Sequence, residues 1–253
     1  MRQMSRTLAV ANQKGGVAKT TTVASLGSAL AEAGRKVLLV DLDPQSCLTF
    51  SLGVDPDAVE LSVHDVLLGR VGPAMAIQPT EDGIDLLPAT IDLAGTEVAL
   101  LSRPGREYVL RSALAEVESA YEFVILDCSP SLGVLTLNAL TAADEVLIPL
   151  QCEMLSHRGV GQLLDTIEDV RRILNPGLRV AGVLPTMYDG RTNHARAVLA
   201  DIAGRYDLPV LHPPIPRSIR FAEAPAAGRT VLTSAAGGRG AEAYRELARS
   251  LFP

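Results

Sequence analysis

The chain contains no tryptophan, and only 4% of its 253 residues are aromatic. Any core must therefore be built from aliphatic side chains, and a hydrophobic content of 47% is ample for one. Cysteine is limited to Cys47, Cys128 and Cys152, far apart and without metal-ligand spacing. This excludes a disulfide scaffold, fits the reducing cytoplasm, and leaves the three thiols as small buried apolar groups. No apolar run approaches a membrane span. The stretch after the basic Met1-Arg2-Gln3-Met4-Ser5-Arg6 is too short for a secretion signal. Neither an internal repeat nor a low-complexity segment occurs. Lysine is scarce as well: Lys14, Lys19 and Lys36 stand against twenty arginines.

What is present alternates. Short aliphatic runs predict strands near 7–12, 36–41, 84–88, 122–127, 145–150, 179–186 and 209–212. Between them, helices fit 19–33, 107–119, 131–142, 157–174, 192–205 and 239–251. Runs such as Val37-Leu38-Leu39-Val40 and Phe123-Val124-Ile125-Leu126 predict an α/β fold. Its sheet is expected to be doubly wound and mostly parallel, with helices on both faces. No linker-like stretch splits residues 1–253, so a single domain is expected. Gly34-Arg35 closes the first helix, and His212-Pro213-Pro214-Ile215-Pro216-Arg217-Ser218 is expected to be a stiff extended loop.

In such sheets ligands bind beyond the carboxyl ends of the strands, which directs attention to the residues just after each run. After the first comes Lys14-Gly15-Gly16-Val17-Ala18-Lys19-Thr20-Thr21-Thr22. A glycine turn between strand and helix presents unpaired N–H groups to an anion. Lys19 supplies a point charge to β- and γ-phosphates, and the Thr20 hydroxyl suits Mg²⁺. A chain that uses arginine for generic positive charge uses lysine here, where a compact ammonium fits between phosphate oxygens. Gln13 and Ala18 stand where the common G-x-x-x-x-G-K-[ST] pattern has glycines. The match is to the variant with an early lysine, Lys14.

Asp41-Leu42-Asp43 follows the second run. Its two carboxylates, at i and i+2, are expected to point the same way, one supporting Mg²⁺ or the loop and the other orienting a water. This expectation places the first and second strands side by side. Asp127 ends the run Phe123-Val124-Ile125-Leu126, the Walker B arrangement, in which a carboxylate reaches Mg²⁺ directly or through water.

The net charge of −6 is unevenly spread. Residues 1–170 hold 11 basic and 23 acidic residues, whereas residues 171–253 hold 12 arginines and 6 acidic residues. A basic final third on an acidic protein points to a local polyanion surface.

Together these segments resemble the ParA/Soj-type partitioning ATPases, of the deviant Walker A class that also holds MinD and the nitrogenase iron protein. The resemblance runs almost end to end. It is carried by Asn12 to Thr22, Asp41 to Gln45, Pro88 to Gly95, Asp127 to Gly133, Asn138 to Asp144, Gln151-Cys152-Glu153, Thr186 to Asn193 and Ile215 to Pro225. It implies one P-loop ATPase domain that binds ATP and Mg²⁺ through Lys14, Gly15, Gly16, Val17, Ala18, Lys19, Thr20 and Thr21. Lys14 corresponds to the signature lysine that crosses to a partner subunit's phosphates, so that ATP joins a homodimer. Thr21 corresponds to an α-phosphate contact. Thr20, Asp43 and Asp127 serve magnesium, and Asp43 positions the attacking water. Pro216 and Ser218 enclose adenine. Arg191 and Arg220, with Arg217 beside them, would bind double-stranded DNA non-specifically.

A ParB-type centromere-binding protein is the implied stimulating partner, no membrane is expected, and the nucleoid is the implied location. The operator-reading domain of longer relatives is not expected here. Ala18, Ser129 and Ser218 depart from the usual glycine, proline and asparagine.

Three alternatives share the loop. A MinD-like membrane ATPase needs a basic amphipathic C-terminal helix; residues 239–251 place Ala241, Tyr244, Leu247, Ala248 and Leu251 on one stripe, but the opposite face mixes Glu242, Arg245, Glu246 and Arg249. An iron–sulfur reductase needs a second cysteine to complement Cys128. An ATPase that positions another cargo shares every motif. His64, His157, His194 and His212 are scattered and receive no role.

Overall fold

The computed structural model describes residues 5–153 and 156–252. The basic run at residues 1–4 and the side chain of His157 lie outside the described residues. Strands β1 (Arg6–Val10), β2 (Val37–Leu42), β3 (Gln78–Pro79), β4 (Asp85–Leu87), β5 (Phe123–Cys128), β6 (Glu145–Gln151) and β7 (Arg179–Thr186) form one sheet in the order β3-β4-β2-β5-β1-β6-β7. Every pairing is parallel except β3 with β4.

The strands read as continuous aliphatic runs because both faces are covered. Ala9, Leu38, Val40, Val124, Leu126, Val146 and Ile148 join one apolar cluster. Leu8, Val10, Val37, Leu39, Phe123, Ile125 and Leu147 join another. Alternation along each strand assigns neighbours to opposite layers.

The helices are α1 (Lys19–Glu32), α2 (Cys47–Ser51), α3 (Val63–Leu67), α4 (Pro73–Ala76), α5 (Leu93–Leu101), α6 (Val109–Leu114), α7 (Val134–Ala142), α8 (Ser156–Ile173), α9 (Asn193–Tyr206), α10 (Arg220–Ala226), α11 (Val231–Ser234) and α12 (Arg239–Leu251). Gly34, at φ 78°, closes α1: its N–H reaches Ala31 O and that of Arg35 reaches Leu30 O. Helix α12 buries Ala241, Tyr244, Leu247 and Ala248 in the same layer as α1, so its apolar stripe is already covered. Among the described residues no helix is long and apolar enough to cross a membrane.

Three expectations require correction. β1 and β2 are not neighbours, because β5 lies between them. The helix expected over 107–119 is broken into a 3-10 turn (Arg106–Tyr108), α6 and a second 3-10 turn (Glu118–Ala120). Asn138 explains the first break. Its side chain accepts the Leu110 N–H at 3.0 Å and donates to the Arg106 carbonyl at 2.8 Å, the two groups that a continuous helix would bond to each other. The strand expected at 209–212 shrinks to a bridge between Val210 and Val183, since Pro209, Pro213 and Pro214 supply no donors.

Candidate functional site

Residues 11–18 join β1 to α1 at the carboxyl edge of the sheet. Gly16 (φ 73°) and Ala18 (φ 67°) both occupy the left-handed region. Gly16 does so without steric cost; Ala18, immediately before α1, carries a Cβ there and is strained by about 1 kcal/mol. Among the described residues no protein acceptor meets the N–H groups of Gly15 to Thr21. They form a cradle of donors at a helix start, where the helix dipole adds partial positive charge.

Side-chain hydrogen bonds hold the loop and the start of α1 in place. The Asn12 side chain donates to Pro149 O at 2.7 Å and accepts the Lys14 N–H at 2.9 Å. Thr186, fully buried, donates to Val17 O at 3.0 Å. Tyr244 OH lies 3.0 Å from Thr22 Oγ1 in the first turn of α1. None of these three was legible as a site residue. Asn12 and Thr186 do sit where strands end, the position that would have marked them.

The loop opens on a cavity of about 520 Å³. Gly15, Gly16, Ala18, Lys19, Thr20, Thr21, Asp43, Pro216 and Ser218 line it, so the loop, one acid and the expected adenine wall converge. Arg217, expected on a DNA surface, lines this cavity too. Lys14, Val17 and Asp127 are not among its lining residues. Lys19 is buried, and its Nζ lies 3.3 Å from Lys14 O. Burial lowers its pKa, while Asp127, Cys128 and Asp43 act to raise it. Lys14, at the rim, forms an ion pair with Glu153 of its own chain.

The two carboxylates of the Asp41-Leu42-Asp43 segment separate in role. Asp43 lines the cavity and accepts the Gln45 N–H at 2.9 Å. Asp41 is fully buried beneath it and accepts from Thr49 N (2.9 Å), Thr49 Oγ1 (2.7 Å) and Asp43 N (3.1 Å). Pairing of β2 with β5 sets Asp41 beside Asp127, and pairing of β1 with β5 sets Val10 beside Asp127. The acid that adjoins the loop strand is therefore Asp127.

Asp127 is fully buried, and neither of its oxygens has a hydrogen-bond partner. Burial pushes its pKa well up and the Asp41 charge adds to this; the nearby Thr20 hydroxyl and Lys19 ammonium oppose it. Burial also raises Asp41, to about 6, against the pull of the Thr49 donors. Asp41, with three donors, holds a charge more readily than orphaned Asp127. Two unmatched carboxylate oxygens beside Lys19 and Thr20 suit a hydrated cation held between Asp127 and phosphate, and the donor set, all oxygen, suits magnesium.

The thiols are not activated. Cys47 lines the cavity, with its pKa raised by burial and then by Asp43, Asp41 and Asp127. Burial raises Cys128, and lifts Cys152 to about 11.

The other predicted arginines lie on neighbouring segments. Tyr188 bridges to Pro216, with its N–H on Ile215 O at 3.0 Å, so the chain toward Arg191 runs beside the chain toward Arg220. Arg191 is 91% exposed and holds Asp189 through Nε and Nη2, each at 2.9 Å. These bonds pull the Asp189 pKa to about 2. Arg220 pairs with Glu223 at 2.8 Å.

A parallel-stranded sheet whose first strand feeds a donor-lined loop and a lysine-led helix, with a buried acid on the adjoining strand, defines a P-loop NTPase. The comparisons narrow this. Residues 5–180 match a family described as an AAA domain. The chain is 43% identical over 249 residues to the sporulation initiation inhibitor protein Soj of Bacillus subtilis, covering 98% of each. It is 45% identical over 250 residues to the chromosome partitioning protein ParA of Caulobacter vibrioides, covering 98% of this chain and 94% of that one. A solved structure described as cobyrinic acid a,c-diamide synthase from Mycobacterium smegmatis, with bound ADP and magnesium, superimposes with a TM-score of 0.89 at 60% identity, covering 98% and 94% of the two chains. The chain belongs to the ParA/Soj family of partitioning ATPases.

Proposed function

We propose that the chain is an ATP-driven DNA-partitioning protein whose ATP-bound form is a homodimer. The observation that carries this reading is the cradle itself: unpaired N–H groups from Gly15 to Thr21, buried Lys19, and Asp127 with both oxygens unmatched. A nucleotide triphosphate with magnesium satisfies all of them at once. The relative solved with ADP and magnesium supports the same cofactors here. Thr20 and Asp127 would hold the metal, Asp127 through water. Bound magnesium neutralises phosphate charge. Asp43, on the cavity wall, is placed to orient the attacking water, and Pro216 and Ser218 to enclose the base.

Lys14 would reach a second copy's phosphates. In the single chain it pairs with Glu153, so the full set of cations would assemble only in the dimer, which would keep intrinsic turnover weak. Arg191 and Arg220, exposed on adjacent segments, would take DNA phosphates without reading bases. A ParB-type partner, as the Soj and ParA likeness implies, would stimulate hydrolysis and release at the nucleoid. Burial of the α12 stripe weighs against a membrane-binding role for that helix.

ATP hydrolysis measured with and without non-specific duplex DNA and a ParB-type partner tests the reading. Stimulation by both together is expected, and Lys14→Ala should abolish ATP-dependent dimerisation in sedimentation. A Lys14→Ala protein that still dimerises on ATP removes the role given to Lys14. The name carried by the Mycobacterium smegmatis structure sets the competing reading, ATP-dependent amidation of a corrinoid acid. Turnover that depends on such an acid and ignores DNA would replace the partitioning function.

A further inference from the structure

We propose that Thr186 is a positioning residue for the nucleotide's phosphates, holding the Val17–Ala18 peptide so that the Ala18 N–H faces the cavity; the inference rests on the nucleotide-binding reading above. The Thr186 hydroxyl, fully buried at the end of β7, donates to Val17 O at 3.0 Å across 169 residues of sequence. In a trans peptide the carbonyl and the following N–H point in opposite directions. Fixing the Val17 oxygen on the β7 side therefore turns the Ala18 N–H away from β7, toward the cavity that Ala18 lines.

The loop needs such a clamp because of its own sequence. Ala18 sits at φ 67°, where an alanine is strained. Rotating the Val17–Ala18 peptide would carry Ala18 out of the left-handed region and take its N–H out of the cradle. Strain favours that rotation, and the Thr186 hydrogen bond opposes it. Val17 is 1% exposed, so water would not replace the lost bond. The clamp has a fixed base. Ile215 N donates to Pro185 O at 2.8 Å and Tyr188 N to Ile215 O at 3.0 Å, stapling the chain on both sides of Thr186.

A double-mutant cycle tests this, with MgADP binding read by calorimetry and unfolding of the nucleotide-free chains read in parallel. Thr186→Val keeps the shape and removes the donor; it should weaken MgADP about tenfold. Thr186→Ser should stay within about twofold of the unsubstituted chain. In an Ala18→Gly background, where the left-handed conformation is unstrained, Thr186→Val should cost only about twofold. Should Thr186→Val not fold, Thr186→Cys, a weak donor, enters the same cycle with the same expected ordering. Equal losses in both backgrounds, or none, overturn the inference while leaving nucleotide binding intact. No affinity in the unsubstituted chain overturns the nucleotide reading and this inference with it.

Discussion

Asp127→Asn should raise the stability of the nucleotide-free protein while removing ATP hydrolysis. Asp127 is fully buried without a partner and adjoins buried Asp41. Its folded pKa lies above the unfolded value of about 3.9, so the native state holds a proton that the unfolded chain has released. Stability is therefore lost as pH rises from about 4 through the folded pKa, and the loss is complete above it. One pKa unit corresponds to about 1.4 kcal/mol. Asp41, which has three hydrogen-bond donors, rises from 3.8 to about 6, a shift worth about 3 kcal/mol. The Asp127 pKa moves in the same direction, through burial and the Asp41 charge, so Asp127 too costs stability at pH 8. A buried asparagine amide without partners gives back about 1–2 kcal/mol. The expected net result is a higher melting temperature at pH 8, where each 1 kcal/mol is worth roughly 2–4 °C for a chain of this size. The assay is thermal unfolding in a metal chelator at pH 5 and pH 8, with a larger gain at pH 8. A gain equal at both pH values, or a loss at pH 8, refutes the account of Asp127 as an orphaned charge.

Ala18→Gly should stabilise the apo chain by up to about 0.5 kcal/mol, as relief of left-handed strain outweighs glycine's extra unfolded-state entropy; a lower melting temperature would falsify the strain assignment. Arg220→Glu should weaken non-specific DNA binding and reduce the salt slope by at least about one, with ATP affinity unchanged, in fluorescence anisotropy across a salt series. An unaltered slope removes Arg220 from the DNA surface.

The fold was legible because its signals are local. Aliphatic runs buried on both faces announce parallel strands, and Gly34 announces the end of α1. Strand order was not legible: nothing in β1 or β2 reveals that β5 inserts between them. The broken helix near 107 depends on Asn138, a polar residue far away in sequence that replaces one backbone bond with two side-chain bonds. At the site, the loop, Asp43 and Asp127 could be read because their chemistry is carried by residue type and place. Thr186 and Tyr244 could not, since each offers one hydroxyl that meets the loop or the first turn of α1 only after the chain has folded. The burial of Asp41 was likewise hidden. It differs from Asp43 only by lying one pleat earlier on β2, where Thr49 covers it.

The cations and anions of this chain are poised in opposite ways. Lys14, Arg191 and Arg220, the residues proposed above to meet phosphates, each pair with a carboxylate of their own chain. Such exposed pairs add little stability, so a polyanion would displace the carboxylates at little cost. Asp127 has no cation within hydrogen-bond reach and is buried, so its charge is costly until a metal arrives. Surface binding is therefore easily reversed, whereas the nucleotide and metal relieve a native-state penalty as they bind. This asymmetry suits the partitioning function proposed above, in which DNA would be gripped loosely and released.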